Sequence, residues 1–188
     1  MAITDNNVLM RGHRGMIGNV VFRRWGKKTV VSLAPSTKNR KWSKAQKANR
    51  LRFRDAMAYA RKALNDPEML KYYRKKTKGM QTVWNVAVAD YMKKPQIKEI
   101  DIHNYKGQKG NTIRVVARDN YRVAGVIVSI VDAQGFEVES GMAVEMPNNC
   151  DWIYKAMEPN LSGQGGRIVV RVTDSPGNVV TTFRVIEG

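Results

Sequence analysis

Six short segments rich in β-branched residues follow one another between residues 113 and 186, and they constrain the fold more than any other feature. They are IRVVAR (113–118), VAGVIVSIV (123–131), FEVES (136–140), WIYKAM (152–157), RIVVRVT (167–173) and VVTTFRVI (179–186). The turns between them carry Gly, Pro, Asn and Asp, as in Asp174-Ser175-Pro176-Gly177-Asn178. Short strands with such turns are typical of antiparallel sandwiches. We therefore expect residues 96–188 to form one antiparallel β-sandwich.

The first half of the chain has a different pattern, which begins with a predicted β-hairpin. Val20–Phe22 and Thr29–Leu33 are β-branched or aromatic runs, and Gly26 between them tolerates the positive φ of a hairpin turn. Residues 1–17 are polar, have no clear period and are predicted to be an arm or loop. The change of pattern near Pro95 predicts an α+β protein of two modules, residues 1–95 and residues 96–188.

Three helices are predicted between the hairpin and Pro95. Ser43 and Gln46 match a capping box, which predicts a first helix from about Lys44 to Leu64. Its predicted core face is Phe53, Met57, Ala60 and Leu64, which recur at helical spacing. A second helix is expected to begin after Asp66-Pro67, a good N-cap and first-turn pair. The third is expected from about Met80 to Met92, with one apolar side formed by Met80, Trp84, Ala87 and Tyr91.

Charge divides the chain at the same place. Residues 1–95 contain 23 Lys and Arg against 5 Asp and Glu, a net charge of +18, whereas residues 96–188 contain 10 against 11, a net charge of −1. Between Asp5 and Asp55 there is no other carboxylate side chain, although Lys and Arg occur 14 times. Such asymmetry predicts that the first module faces an anionic partner.

A nucleic acid is the polyanion that this basic segment fits best. Arg binds phosphate bidentately, counterion release drives binding without regard to base sequence, and exposed aromatic rings stack on bases. The candidate binding residues are Arg11, Arg14, Arg23, Arg24, Trp25, Lys27, Lys28, Lys38, Arg40, Lys41, Trp42, Lys44, Lys47, Arg50 and Arg54. Phe53 is a third aromatic residue among these charges, and its prediction as a core residue competes with a role in stacking. The other alternative interpretations are that the charge only maintains solubility, and that Trp25 and Trp42 cover a small helical core.

Residues for catalysis or metal binding are few. His13 and His103 are the only histidines, and Cys150 is the only cysteine, so no intrachain disulfide can form. No zinc-ligand spacing and no nucleophile motif occurs. The acidic residues Asp119, Asp132, Asp151 and Asp174 fall mostly at predicted turns, where Asp bonds the backbone. We therefore predict a protein that is not an enzyme and that has no cofactor and no metal.

Two resemblances add to these predictions. VSIVDAQGFEVESG and RVTDSPGNVVTTFRV resemble the hairpins of bacterial immunoglobulin-like domains, which implies an immunoglobulin-like sandwich over about 90 residues. GMIGNVVFRRWGKKTVVSLAP, followed by KAQKANRLRFRDAMAYA, is similar to an uncharacterised family frequent in Bacteroidota and their phages. That second resemblance covers roughly residues 12–60 and implies no established activity.

Two functions follow as hypotheses. The first is a non-enzymatic protein that binds the phosphate backbone of DNA or RNA through its basic half and docks another protein through the sandwich. The alternative is a structural component of a phage particle or similar assembly, in which the basic arm is embedded among subunits or faces the genome. A homo-oligomer is compatible with both. No segment approaches the roughly 20 apolar residues of a membrane span, so we expect a soluble protein of the cytoplasm or of a phage interior.

Overall fold

The computed structural model describes residues 12–36, 41–160 and 165–186, together with the backbone of residues 2–4. Within these residues there are three antiparallel sheets and three helices, as expected for an α+β protein. The chain forms two compact units, Met1–Asn49 and Arg50–Gly188. None of the helices in the described residues is long and apolar enough to cross a membrane.

The first unit contains a four-stranded sheet in the order β1-β4-β3-β2. Its strands are β1 (Ala2–Thr4), β2 (Gly15–Ile17), β3 (Val20–Trp25) and β4 (Lys28–Leu33). The predicted hairpin is confirmed as β3 and β4, in which Trp25 pairs with Lys28 across a two-residue turn. Gly26 has a φ of 61°, a conformation that a glycine adopts without a steric penalty.

The prediction that residues 1–17 form only an arm or loop is wrong in part, because β1 and β2 are strands. Ala2–Thr4 pairs with β4, and Gly15–Ile17 pairs with β3. A strand of three residues is too short to show an alternating pattern in the sequence. Its position depends instead on a neighbouring strand, because it pairs with the free backbone groups of that strand.

Three helices follow, α1 (Lys44–Asn65), α2 (Pro67–Lys76) and α3 (Val83–Met92). The predicted capping box is present, since the Ser43 N–H donates to Gln46 Oε1 at 2.9 Å and the Gln46 N–H donates to Ser43 Oγ at 3.2 Å. Asp66 caps α2 by accepting from the Glu68 N–H at 2.9 Å. The predicted start of α3 at Met80 is wrong, because the Thr82 hydroxyl caps that helix by accepting from the Asn85 N–H.

The buried face of α1 matches the predicted one only in part, since Ala60 is buried and Leu64 packs against the same core. Ala56, Ala60 and Ala63 are buried, whereas Phe53 is 47% exposed and Met57 is 36% exposed. The alanines pack in a core with Tyr73 and residues 86–88. Small alanine side chains allow neighbouring elements to approach α1 closely. The larger apolar side chains on the adjacent strip of the helix do not allow so close an approach. The interpretation of Phe53 as a core residue is therefore wrong.

The second unit contains two four-stranded antiparallel sheets, β5-β6-β10-β9 and β12-β11-β7-β8. The strands are β5 (Gln96–Asp101), β6 (Thr112–Arg118), β7 (Val123–Val131), β8 (Glu137–Met142), β9 (Val144–Glu145), β10 (Asp151–Lys155), β11 (Arg167–Asp174) and β12 (Val179–Val185). Ile113, Val115 and Trp152 of the first sheet share one core with Val128 and Val170 of the second. All six predicted strands are present, while β5 and β9 are additional.

The helices and the sandwich lie in the same compact unit, except for the first six residues of α1. The side chain of Arg52 donates to the Tyr91 carbonyl oxygen at 3.4 Å and to Asn178 Oδ1 at 3.5 Å. Asn178 Nδ2 also donates to the Tyr91 carbonyl oxygen, at 3.1 Å. These bonds join α1, α3 and the turn before β12. The division into modules 1–95 and 96–188 stays a prediction.

Candidate nucleic-acid interface

The β3–β4 hairpin presents cations and an indole ring at its tip. Arg23, Trp25 and Lys28 lie on one face, because Trp25 is the cross-strand partner of Lys28 and Arg23 is two residues earlier in the same strand. All three side chains are exposed, and Trp25 is 67% exposed. Arg24 lies on the other face, and its Nε–H donates to the Gly26 carbonyl oxygen at 3.2 Å. We call Arg23, Arg24, Trp25, Lys27 and Lys28 the hairpin tip.

The other predicted binding residues are exposed wherever the structure describes them. In the first unit these are Arg14, Lys41, Trp42, Lys44 and Lys47, and in the second unit they are Arg50 and Arg54. Trp25 and Trp42 are both largely exposed, at 67% and 41%. Arg11, Lys38 and Arg40 lie outside the described residues.

Most of these cations are not neutralised by nearby carboxylates. Within the described part of the chain, no ion pair is formed by Arg14, Arg23, Arg24, Lys27, Lys41, Lys44 or Lys47. Arg54 is paired with the neighbouring Asp55, at 3.2 Å, where both side chains are largely exposed. An exposed ion pair of this kind contributes about 0–1 kcal/mol to the free energy of unfolding. Arg54 can therefore exchange Asp55 for a phosphate at little cost.

A buried polar network, which the sequence analysis did not find, lies in the second unit. Asp90 of α3 is fully buried, and its Oδ2 accepts from the Tyr73 hydroxyl at 2.7 Å. The Tyr59 and Tyr73 hydroxyl oxygens are also 2.7 Å apart. Because Tyr73 donates its proton to Asp90, Tyr59 donates to Tyr73. The available signal was the position of Asp90 in the otherwise apolar stretch VAVADYM.

Burial raises the pKa of Asp90 to about 7. The Tyr73 hydroxyl opposes this change, while the charges of Asp119 and Asp174 and a hydrogen bond with Asp119 reinforce it. Asp90 Oδ1 and Asp119 Oδ1 are both buried and lack a partner when both carboxyls are ionised. A proton held by Asp90 satisfies both atoms and removes their repulsion. The network therefore joins α3 to the β6–β7 loop through a carboxyl that holds its proton below a pH of about 7.

The two histidines and the cysteine lie in three different segments of the chain. His13 packs near Phe22, with ring centroids 6.0 Å apart, and His103 is hydrogen-bonded to Asp101. Cys150 is a free, partly buried cysteine in the β9–β10 loop. Among the described residues, no group of three or more His, Cys, Asp or Glu side chains is arranged to hold a metal ion.

An apolar groove of about 340 Å³ lies on the surface of the sandwich. Met142, Val144 and Met157 line it and are each at least 66% exposed. Val144 belongs to β9, which is an edge strand of its sheet. Exposed methionines adapt to differently shaped apolar partners, as at many promiscuous binding surfaces.

Comparison with protein-family models found no matching family, and comparison with curated proteins found no match. Among solved structures, part of the chain is similar to the crystal structure of CopC from Methylosinus trichosporium OB3b. The match has 18% sequence identity and a TM-score of 0.36, and it covers 47% of this chain and 87% of that chain. A likeness of this size carries no argument about function.

Proposed function

We propose that this is a non-enzymatic protein that binds the phosphate backbone of DNA or RNA through its basic N-terminal half, with little sequence preference. The observation that carries the proposal is the hairpin tip, where the exposed indole ring of Trp25 shares one face with the exposed Arg23 and Lys28. Arg23, Arg24 and Lys27 form no ion pair with the described residues, and exposed cations of this kind attract phosphates and release condensed counterions on binding. The indole ring suits stacking on an unpaired base, which contributes about 1–3 kcal/mol.

In this proposal the sandwich, which resembles immunoglobulin-like domains, is a protein-docking module. The Met-lined groove supports that role, because several large apolar side chains are exposed together beside an edge strand. Isolated exposed apolar residues need no explanation, but a contiguous group is typical of interaction sites. The second unit thus presents an apolar surface beside an edge strand, whereas Arg23, Arg24 and Lys27 of the first unit are exposed cations that form no ion pair with the described residues.

The binding mode predicts a steep dependence on salt. If about 6–10 phosphates are contacted, a plot of log K against log salt concentration has a slope of about −5 to −9 on duplex DNA. Filter binding or fluorescence anisotropy with two unrelated duplexes of equal length measures both the slope and the sequence preference. A flat salt response, or no binding at low salt, contradicts the proposal.

A second candidate function, a structural component of a phage particle or similar assembly, is favoured by a different observation. Ile17, Val20 and Leu33 are cross-strand neighbours on one face of the first unit's sheet. Ile17 is 67% exposed and Leu33 is 76% exposed. A small sheet with an uncovered apolar row is suited to packing against another subunit.

This second candidate predicts self-association that depends on the apolar row. Wild-type protein is expected to increase in mass with concentration in sedimentation velocity, and the Ile17→Asn/Leu33→Asn variant is expected to remain monomeric. Phe136→Asn is the control, because Phe136 is 71% exposed but lies in a turn of the sandwich. A wild-type protein that stays monomeric at all concentrations contradicts the assembly function.

A further inference from the structure

A second basic site lies in the second unit and contains none of the hairpin-tip residues. A cleft of about 470 Å³ opens there between α2, the β6–β7 loop and the segment from β9 to β10. Its volume is in the range of sites that bind small ligands. Lys76 of α2, and Arg118 and Arg122 at either end of the β6–β7 loop, contribute three cations to its lining.

One of these three cations interacts with a carboxylate at a distance, since the pKa of Asp151, which hydrogen bonds with Asn148 and Arg114 lower, is lowered further by the charges of Arg114 and Arg118. Lys76, Arg118 and Arg122 are exposed, and none of them forms an ion pair with a residue that the structure describes. Asp119 also lines the cleft, where its Oδ2 accepts from the backbone N–H groups of Tyr121 and Arg122 at 3.0 and 3.3 Å. With Glu145 as the second carboxylate, three cations against two carboxylates leave the lining with a formal charge of +1, which suits an anion.

A smaller neighbouring cleft extends the same positive surface. It has a volume of about 150 Å³, shares Arg118 with the first cleft, and is lined in addition by Lys93, Lys94 and Lys98. Like-charged side chains repel one another when no anion lies between them. The two clefts together are thus more favourable for a phosphate-bearing ligand than for a neutral one.

Two aromatic rings in the larger cleft distinguish it from a simple anion site. Tyr72 and Tyr121 both pack edge-on against the buried Tyr73, with ring centroids 5.4 and 6.2 Å apart. Tyr73 is in turn held by its hydrogen bond to Asp90. Lys76 Nζ lies 5.6 Å from the centre of the Tyr72 ring. The rings are thus positioned before any ligand arrives, which lowers the ordering cost of stacking.

We propose that this cleft binds a nucleotide, with the base stacked against Tyr72 or Tyr121 and the phosphate held by Arg118, Arg122 and Lys76. Glu145 also lines the cleft, and its carboxylate is an acceptor suited to ribose hydroxyls. The ligand is either a free nucleotide or one nucleotide of a strand, since both present the same phosphate and base. The proposal does not depend on the hairpin tip, because it uses different residues in the other unit.

Isothermal titration of the full-length protein with AMP at low salt tests the site. We expect saturable binding that is about tenfold or more weaker in Arg118→Gln/Arg122→Gln, because each charged hydrogen bond to phosphate is lost. Tyr121→Leu tests stacking and is expected to weaken AMP binding but not inorganic phosphate binding. Lys106→Gln/Lys109→Gln is the matched control with the same charge change, at exposed cations outside both clefts.

Cys150 provides a second readout that needs no substitution. It is the only cysteine of the chain and it lines the cleft. Bound AMP is expected to slow its alkylation by iodoacetamide in the native protein, and adenosine at the same concentration is expected to slow it less. Equal alkylation rates with and without a saturating concentration of AMP overturn the proposal, as does AMP binding that is unchanged in Arg118→Gln/Arg122→Gln.

Two further comparisons identify the ligand. Inorganic phosphate that binds as tightly as AMP overturns the assignment to a nucleotide. The second comparison uses a protein carrying Arg23→Gln/Arg24→Gln. If a single-stranded tetranucleotide binds this protein more tightly than AMP does, and AMP displaces it, the natural ligand is one nucleotide of a strand. Binding of AMP with no binding of the tetranucleotide supports a free nucleotide. AMP binding that is lost with the hairpin arginines, and not with Arg118 and Arg122, contradicts a separate site.

Discussion

Replacing Asp90 with Asn is expected to remove a loss of stability that the wild-type protein undergoes as the pH rises from about 5 to about 8. The pKa of Asp90 is about 7 in the folded protein, against a model value of 3.8. The folded state therefore binds more protons than the unfolded state between these values. Stability is highest at the acid end of this window, falls as the pH approaches 7, and levels off above it.

The expected magnitude follows from the raised pKa. Integrating the difference in bound protons from about pH 5 to about pH 8 gives a loss on the order of 2 kcal/mol, or roughly 4–8 °C in Tm for a chain of this size. Asn at position 90 keeps an oxygen that accepts from Tyr73 and adds an N–H group that donates to Asp119. The variant is thus expected to be the more stable protein at pH 8.

Thermal unfolding followed by circular dichroism at several pH values measures this effect. The difference in Tm between variant and wild type separates the effect of Asp90 from the effects of Tyr59, Tyr73 and Asp174, whose pKa values burial also raises. Asp132→Asn is the control, since Asp132 accepts a backbone hydrogen bond in an exposed turn. If wild type and Asp90→Asn have parallel pH profiles, Asp90 does not hold a proton in the folded state.

Charge reversal of the hairpin tip is expected to have the largest effect on nucleic-acid binding. In Arg23→Glu/Arg24→Glu/Lys27→Glu the formal charge falls by six from +17. If each cation contacts one phosphate, the salt slope becomes shallower by about 3, and affinity at low salt falls by about tenfold for each contact. Since all three side chains are exposed and form no ion pair with described residues, the fold is expected to be unaffected.

The matched control places the same charge change in the other unit. Lys106→Glu/Lys109→Glu/Arg167→Glu also lowers the formal charge by six, at exposed positions of the sandwich. Fluorescence anisotropy of a labelled duplex across a salt series compares the three proteins. Equal losses in both variants indicate that only net charge matters, and would show that the hairpin tip is not a binding site.

Trp25 and the cations of the hairpin tip are expected to contact different parts of a nucleic acid. Its ring is exposed on the face that also carries Arg23 and Lys28. The phosphate contacts of the cations do not depend on whether a base is paired, but stacking requires an unpaired base. Binding in which Trp25 takes part is therefore expected to favour single strands over duplexes, in contrast to the behaviour of the cations alone.

Several elements were predictable because their causes are local. The capping box at Ser43 and Gln46 and the cap at Asp66 each depend on groups within three residues of one another. The β3–β4 turn depends on one glycine. The six predicted strands of the sandwich show in the sequence because turn residues bound most of them. In such cases a short stretch of chain contains all the interacting atoms.

Other elements were not predictable because their causes are distant in sequence. The short strands β1 and β2 depend on neighbours that have free edges. The buried face of α1 is chosen by the elements that pack against Ala56 and Ala60, and the larger Phe53 lies outside that contact. Helical spacing identifies an apolar strip on a helix. In α1 it does not identify the buried strip, because two adjacent strips both carry apolar residues.

The amino-acid sequence by itself determined where the positive charge lies, where most helices and strands begin and end, and that two kinds of secondary structure follow one another. Only the tertiary structure brought Asp90 beside Asp119, and Lys76 beside Arg118 and Arg122. The physical reason is the distance along the chain between the groups that interact. Caps and turns act over a few residues of chain, whereas the pKa of a buried carboxyl and the charge of a cleft depend on groups that folding places within a few ångströms.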